Sequence, residues 1–158
     1  MIKTNAMRLL SSAKIPFETR EYEVDENHID GMDVAIQIGM TPDQVFKTLV
    51  VKGEKKGIYV CCIPVNEELS LKKIAKLVGE KKVEMLPVKD LLATTGYIRG
   101  GCSPIGMKKK YPTFIHESAK KYPEIVVSAG VRGCQLVLSP EDLASFVQGR
   151  VENLIMEN

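Results

Sequence analysis

The sequence of 158 residues is poor in the side chains on which several classes of enzyme and metalloprotein depend. It has two histidines, His28 and His116, and four cysteines, none of them in a C-x-x-C pair. A zinc site is therefore not expected, and we predict no cofactor. His28 lies in an acidic loop and His116 in a predicted strand, so no convincing Ser-His-Asp or Cys-His set is visible. An enzyme with this sequence would work through positioning and electrostatics rather than through a nucleophile of its own.

Long apolar runs are also missing. The longest, Ile58–Ile63, has six residues, whereas a membrane-spanning helix needs about 20. The segment MIKTNAMRLL has neither a long apolar run nor a cleavage site, so no signal peptide is predicted. Unpaired cysteines are usual in the reducing cytosol. These features predict a cytoplasmic protein with no membrane partner.

Repeats, linkers and low-complexity segments are absent, and a chain of this length usually forms one domain. We therefore predict a single domain over residues 1–158. The net charge of +2 permits nucleic-acid binding without requiring it. Lysines nevertheless form three local clusters, which are either solvated surfaces or contacts with a phosphate backbone. The clusters are Lys72, Lys73 and Lys76; Lys81 and Lys82; and Lys108, Lys109 and Lys110.

Patterns of helix and strand are interspersed without a regular βαβ rhythm. Helical spacing and capping residues predict helices over 5–13, 31–38, 71–78, 87–95 and 140–147. Alternating or apolar segments predict strands near 17–24, 45–53, 57–65, 81–86, 113–117, 124–130 and 134–139. We therefore predict a mixed α+β fold in which a sheet or barrel is packed by several helices.

The segment VFKTLVVKG, residues 45–53, reads as a buried strand with one charged intruder. Side chains alternate across a strand, so Lys47 shares a face with the apolar residues Val45, Leu49 and Val51. Lysine can lay its alkyl stem along such a face and raise its ammonium into water. Alternatively, the ammonium points into a pocket, where it would meet an anion or a polarised carbonyl. The strand alone leaves both possibilities open.

Two glycine-rich segments are candidates for a binding site. The first is GYIRGGCSPIGMKKKYP at 96–112, and the second is SAGVRG at 128–133, between two predicted strands. Such loops let the backbone approach a ligand closely, and they offer N–H groups to a phosphate or an oxyanion. They are also common as simple tight turns. Neither matches G-x-G-x-x-G or the P-loop, so nucleotide hydrolysis gains no support.

Taken in order, the segments VFKTLVVKG, KKVEML, TGYIRGGCSPIGMKKKYP and VSAGVRGCQLVLSPEDL resemble the YbaK/EbsC family. These are freestanding aminoacyl-tRNA deacylases related to the editing domain of bacterial prolyl-tRNA synthetases. The likeness covers nearly the whole chain and is closest to the Cys-tRNA(Pro) deacylase branch. It implies a mixed, β-barrel-like sheet surrounded by helices, and hydrolysis of a mischarged tRNA(Pro).

The resemblance also implies which residues form the site. In the family the lysine of F-K-T projects into the pocket, so the pocket reading of Lys47 is favoured. Thr48 faces the other way in an ideal strand, so a role for it would run through the backbone or a local twist. We predict catalytic roles for Lys47, Thr48, Gly101 and Ser128. We predict substrate-binding roles for Tyr22, Gly100, Gly130 and Arg132.

One residue departs from the family pattern: Gln135 stands where the best-known deacylases carry an aspartate, which puts the substrate preference in doubt. In this branch the thiol of the substrate cysteine is thought to attack its own ester carbonyl, which implies a site without a protein nucleophile. The expected partners are mischarged tRNA(Pro) and, in addition, prolyl-tRNA synthetase, with no DNA. Two alternatives stay open: a deacylase for Ala-tRNA(Pro) or another aminoacyl-tRNA, and a non-catalytic module that binds tRNA or the synthetase.

Overall fold

A computed structural model describes residues 2–25, 27, 30–55 and 57–157. The predicted acidic loop lies partly, and His28 entirely, outside the described residues. The described helices are α1 (Asn5–Ser12), α2 (Gly31–Ile38), α3 (Leu71–Val78), α4 (Val88–Thr95) and α5 (Pro140–Val147). The strands are β1 (Glu18–Glu21), β2 (Phe46–Gly53), β3 (Ile58–Pro64), β4 (Val83–Met85), β5 (Thr113–His116), β6 (Ile125–Ser128), β7 (Cys134–Leu138) and β8 (Arg150–Glu152). Short 3-10 turns occupy Pro42–Gln44 and Glu117–Lys121.

Local sequence accounts for most helix boundaries. The side chain of Thr4 caps α1 by accepting a hydrogen bond from the Met7 amide, and Ser139 caps α5 through the Asp142 amide. Such side chains satisfy N–H groups that have no partner within the helix. Gly39 ends α2 in the left-handed conformation, at φ 72°, which glycine adopts without steric cost.

The strands form two sheets rather than a closed barrel. One has the order β4-β2-β3-β5-β8 and the other the order β1-β7-β6. The β2–β3 hairpin is antiparallel, whereas β3–β5 and β5–β8 are parallel. An isolated parallel bridge joins Val45, the residue before β2, to Val126 of β6 and so links the two sheets. The mixed α+β class is confirmed, and the barrel-like character is limited to two sheets that meet at this bridge.

Across the residues that the structure describes, three apolar cores hold the fold together, and the largest joins the two sheets, since it contains residues of β2, β3 and β5 as well as of β6 and β7. The largest core joins α1 and α5 to β6 and β7 around Leu10, Leu136 and Leu143. A second core packs α3 against the inner face of β2 and β3. The third cluster contains Val45 and Val126, the two residues of the bridge. The junction of the two sheets is therefore fixed by apolar packing.

Several sequence predictions need correction at the level of elements. The strand predicted over 17–24 is shorter and pairs only at Glu18–Glu21. The strand β8 was not predicted, because Arg150–Glu152 is too short and polar to give a pattern.

None of the helices in the described part of the chain is long and apolar enough to cross a membrane.

Candidate active site

The two glycine segments, distant in sequence, pack directly against each other. A Cβ atom added to Gly101 would lie 3.1 Å from backbone atoms of Val131 and Arg132. The Arg132 Nε donates a hydrogen bond of 2.8 Å to the carbonyl oxygen of Arg99. Gly101 is therefore a point where the backbones approach so closely that a side chain would require the neighbouring loop to shift. Both segments belong to one structural unit.

Ser128 and Gly130 shape the second glycine segment. The hydroxyl of Ser128 accepts a hydrogen bond of 3.1 Å from the Gly130 amide. Gly130 has φ 100°, and a Cβ there would lie 3.0 Å from the ring of Tyr97. The Gly101 amide donates to the carbonyl oxygen of Ile98. The amides of Gly101 and Gly130 are thus used within the loops, which argues against either as a free oxyanion donor.

Lys47 is half-buried near the start of β2, opposite Ile63 of β3. Its Nζ lies 3.5 Å from the carbonyl oxygen of Val65. Burial lowers the pKa of Lys47, and the carboxylates of Glu68 and Asp30, with Glu67 behind them, act in the opposite direction. The ammonium is therefore partly desolvated and only partly compensated by carboxylates, a condition typical of functional lysines.

The bridge between the sheets brings Lys47 and Ser128 to the same level. Val45 and Val126 are paired in parallel, and Lys47 and Ser128 each follow two residues later. Because side chains alternate along a strand, both project to the same side as the bridge residues. Gln135, which pairs with Ser128 across β6 and β7 and is 7% exposed, shares that side. The departure from the family aspartate therefore lies beside the predicted site.

Thr48 lies on the opposite face of β2, as strand alternation predicts. Its hydroxyl is 3.9 Å from the Sγ of Cys62, a fully buried residue. Cys62 interacts electrostatically with Cys102 of the first glycine segment, and Cys102 forms a hydrogen bond with Thr95. The structure thus places Thr48 beneath the first glycine segment rather than beside the Lys47 ammonium.

Tyr22 and Arg132 line a common cavity of about 560 Å³, together with Glu23, Val24 and Gln37. The Tyr22 amide donates a hydrogen bond of 2.9 Å to the carbonyl oxygen of Gly133, which fixes the start of the loop after β1. Lys47 is not among the described residues that line this cavity. The predicted substrate-binding residues are therefore clustered around the second glycine segment, on a side of the site that Lys47 does not line.

The protein's thiols are poorly suited to nucleophilic attack. Burial raises the pKa of Cys102 to about 12 and that of Cys62 to about 12, with the Thr95 and Thr48 hydrogen bonds acting in the opposite direction. Burial also raises the pKa values of Cys61 and Cys134. Because the thiolate is the nucleophilic form, all four cysteines are expected to be protonated and unreactive at neutral pH.

Tyr97 is a site residue that sequence reasoning overlooked. Its ring lies against Gly130, and its hydroxyl donates to the carbonyl oxygen of Ile105. Burial, followed by the effect of Cys102, raises the pKa of Tyr97 to about 12. An aromatic residue three positions before a glycine pair was the available signal. Asp30, which acts on Lys47 and caps α2, had no local signal because its proximity to Lys47 is set by tertiary structure.

Comparison with known proteins places these features in a family. Residues 29–146 match the model of the aminoacyl-tRNA editing domain. The chain is 53% identical over 148 residues to a protein of Enterococcus faecalis named "Putative Cys-tRNA(Pro)/Cys-tRNA(Cys) deacylase EbsC", covering 94% of this chain and 90% of that protein. The chain therefore belongs to the aminoacyl-tRNA editing family, and the resemblance to its YbaK/EbsC members is confirmed.

Solved structures show the same fold at much lower sequence identity. A "putative trans-editing enzyme for prolyl tRNA synthetase" superposes with a TM-score of 0.83 at 21% identity, covering 99% of this chain and 100% of that chain. A structure described as a hypothetical protein has a TM-score of 0.86 at 17% identity, covering 94% and 97%. The architecture of two sheets and surrounding helices is thus the editing-domain fold.

Proposed function

We propose that the protein is a freestanding, single-domain deacylase that releases cysteine from mischarged Cys-tRNA(Pro). The observation that carries the proposal is the 53% identity, over nearly the full length of both chains, to a protein named as a deacylase of Cys-tRNA(Pro) and Cys-tRNA(Cys). Two further features support it: the half-buried Lys47, two residues after the Val45–Val126 bridge, and the two glycine loops that pack against each other.

The proposed reaction uses the thiol of the substrate. The sulfur attacks the carbonyl carbon of its own ester, and the new C–S bond closes a cyclic thiolactone. The C–O bond to the terminal ribose then breaks, and the thiol proton passes to the released ribose hydroxyl. Holding the two groups in a reactive geometry can lower such a barrier by roughly 7–11 kcal/mol in favourable cases. The raised pKa values of the protein's own thiols agree with this assignment.

In this proposal Lys47 stabilises the negative charge that develops on the carbonyl oxygen. A partly desolvated ammonium does this more effectively than one in bulk water, because the local dielectric is lower. Ser128, on the same side of the junction, is assigned to orienting the aminoacyl group. Gly101 acts by permitting the close approach of the two loops, and Thr48 by supporting β2 from the opposite face. Tyr22, Gly100, Gly130 and Arg132 are assigned to binding of the substrate.

A panel of charged tRNAs tests the proposal. Purified protein is incubated with tRNA(Pro) carrying cysteine, alanine or proline, and the released amino acid is measured over time. We expect rapid release of cysteine only. Release of alanine instead would establish the alternative specificity, with Gln135 as the first residue to exchange for aspartate. Binding of tRNA without any release would identify a non-catalytic module.

Two further predictions accompany this proposal. Prolyl-tRNA synthetase is the expected protein partner, and pull-down of the synthetase by the purified protein, with and without tRNA(Pro), is the direct measurement. We expect a cytoplasmic location, because four unpaired cysteines are usual for a protein of a reducing compartment. Fractionation of cells that express the protein at natural levels tests that expectation.

A further inference from the structure

A second cavity lies away from Lys47, at the hairpin end of the five-stranded sheet. It has a volume of about 580 Å³ and is lined by the start of β3, the end of α4 and the loop before β5. Tyr59, which lines it, pairs with Val51, four residues along β2 from Lys47. Four residues of strand span about 13 Å. The cavity is therefore separate from the candidate active site but close to it.

The chemistry of this cavity is that of a polyanion site. Lys108 and Lys109 line it, and none of the described residues that line it carries a carboxylate. The Lys108 Nζ lies 3.4 Å from the carbonyl oxygen of Ala93, which leaves further ammonium donors for a ligand. The volume of the cavity lies within the range of about 300–1,000 Å³ that is usual for small-ligand sites.

Two tyrosine rings line the same cavity and are held by their hydroxyls. The Tyr111 hydroxyl donates to the carbonyl oxygen of Thr94 at 2.7 Å, and the Tyr59 hydroxyl donates to Glu80 at 3.3 Å. Because the hydroxyls are engaged, the rings are fixed in position. Rigid aromatic rings beside lysines are the combination with which proteins bind single-stranded nucleic acid, through base stacking and phosphate contacts.

The first glycine segment connects this cavity to the candidate active site. Lys108 packs against Gly96, and its amide donates to the carbonyl oxygen of Thr95. From Gly96 the chain runs directly to Gly100 and Gly101, which contact the second glycine loop. A strand of RNA that occupies the cavity could therefore follow this segment to the site of chemistry.

We propose that this cavity holds a nucleotide of the tRNA, with two neighbouring phosphates of the strand on Lys108 and Lys109 and the base against a tyrosine ring. The inference rests on the proposed function, since it takes tRNA as the ligand. It adds an RNA-binding subsite to a site otherwise described by the aminoacyl group alone. Contacts there strengthen binding of tRNA without acting on the reacting bond.

The test compares two variants that each lose two positive charges. Lys108→Ala with Lys109→Ala removes both cavity lysines, whereas Lys120→Ala with Lys121→Ala removes two exposed lysines of the 3-10 turn that do not line the cavity. Affinity for uncharged tRNA(Pro) is measured between 50 and 200 mM KCl, and kcat and KM are measured with Cys-tRNA(Pro). Uncharged tRNA keeps the binding result independent of catalysis.

We expect the cavity variant to flatten the slope of log K against log salt by about 1.4–1.8, since each lost phosphate contact contributes about 0.7–0.9. Between 50 and 200 mM salt it should lose about 7- to 12-fold less affinity than the unmodified protein. KM should rise while kcat changes less than about twofold. Equal slopes for the two variants, or a fall in kcat with unchanged KM, would overturn the inference.

A second comparison isolates the aromatic contribution. Tyr111→Leu should weaken binding at least about fivefold, whereas Tyr111→Phe, which keeps the ring, should retain most of the affinity. Equal losses for both would show that Tyr111 acts through its hydrogen bond with Thr94 instead.

The same measurements distinguish failure of this inference from failure of the proposed function. If the unmodified protein binds tRNA through the cavity but deacylates nothing, the proposed function fails and the subsite stands. If the protein deacylates Cys-tRNA(Pro) and the cavity variants bind tRNA as well as the unmodified protein does, the proposed function stands and the subsite is wrong.

Discussion

Lys47 carries a positive charge on a strand face whose other members, Val45, Leu49 and Val51, are apolar. Burial lowers its pKa, which means that the folded protein holds the charged form at some energetic cost. Such a cost is not expected for a lysine that serves stability alone. Its partial desolvation is instead what strengthens an ammonium as an electrostatic catalyst.

We therefore predict that Lys47→Ala lowers kcat for Cys-tRNA(Pro) by about 10²–10³, the usual effect of removing one oxyanion-stabilising group. The protein should remain folded, because the substitution removes a partly desolvated charge. Circular dichroism and a deacylation assay measure the two effects. Lys52→Ala on the same strand is the matched control, because the Lys52 side chain is only partly exposed and its Nζ lies 3.8 Å from Glu84. Near-normal turnover in a folded Lys47→Ala variant would return Lys47 to a surface-packing role.

Cys102 is the thiol nearest the glycine loops, yet burial raises its pKa to about 12. We predict that Cys102→Ala keeps most of the activity toward Cys-tRNA(Pro). Alkylation of the charged cysteine, or its replacement by serine, should nearly abolish release, because the substrate then lacks the attacking thiol. Two results together would identify Cys102 as a covalent nucleophile: loss of activity in Cys102→Ala, and hydrolysis of the thiol-blocked substrate by the unmodified protein.

At the scale of elements, the two glycine segments form one structural unit. The physical reason for a glycine differs from one position to another. Gly101 is required by the backbone of Val131 and Arg132, whereas Gly130 combines φ 100° with the close ring of Tyr97. Gly79, at the end of α3, has φ 71° but no atom within 4 Å of an added Cβ. Comparing Gly79 with Gly130 therefore distinguishes the cost of a positive φ from the cost of a contact within the loops.

We predict that Gly130→Ala destabilises the protein by about 1–3 kcal/mol, through the unfavourable φ and the contact with Tyr97. It should also lower kcat, since the loop must shift to relieve that contact. Gly79→Ala should cost about 1–2 kcal/mol for its conformation alone and leave kcat unchanged. Denaturant unfolding and the deacylation assay give both quantities. Unaltered kcat in Gly130→Ala would restrict the second glycine segment to a role in folding.

The elements that could be predicted from sequence are those with local signals. Thr4, Ser70 and Ser139 cap helices as expected, and the β2–β3 hairpin follows from two apolar strands with a short connection. The division into two sheets had no local signal, because β1 pairs with β7 more than a hundred residues later. The same reason applies to the site: Lys47 and each glycine loop were visible in the sequence, but the Val45–Val126 bridge that aligns them was not.

The lysine clusters show the same limit. For the cluster that contains Lys73, the sequence left two interpretations open: a solvated surface and a contact with a phosphate backbone. The Lys73 Nζ instead binds the carbonyl oxygen of Ile155 at 2.7 Å, Asn153 at 3.1 Å and Glu157 at 3.2 Å. It therefore holds the C-terminal segment against α3, while Lys72 and Lys76 remain exposed. Of the predicted clusters, the one at Lys108–Lys110 has the better geometry for RNA.

At the scale of the whole molecule, the C-terminal segment closes the second core through His116. This residue is 5% exposed, and its Nδ1 accepts a hydrogen bond of 3.1 Å from the amide of Leu154, which is fully buried. His116 therefore has a structural role, and its Nδ1 carries no proton in this bond, since a protonated nitrogen could not accept it. Burial lowers the pKa of His116; Glu117 and Glu67 act in the opposite direction, and Lys73 and Lys121 act in the same one.

This lowered pKa predicts how stability depends on pH. The unfolded chain, with an ordinary histidine pKa of about 6.5, binds a proton more readily than the folded protein does. The contribution of His116 is therefore complete above about pH 6.5 and is lost as the pH falls toward the folded pKa. The free energy of unfolding is measured with denaturant between pH 5 and 8. As the pH falls through this range, we expect His116 to lower it by up to about 1.4 kcal/mol per pH unit. His116→Asn offers an acceptor oxygen that does not titrate, so its profile should lose that component, whereas an unchanged slope would assign the effect to other groups.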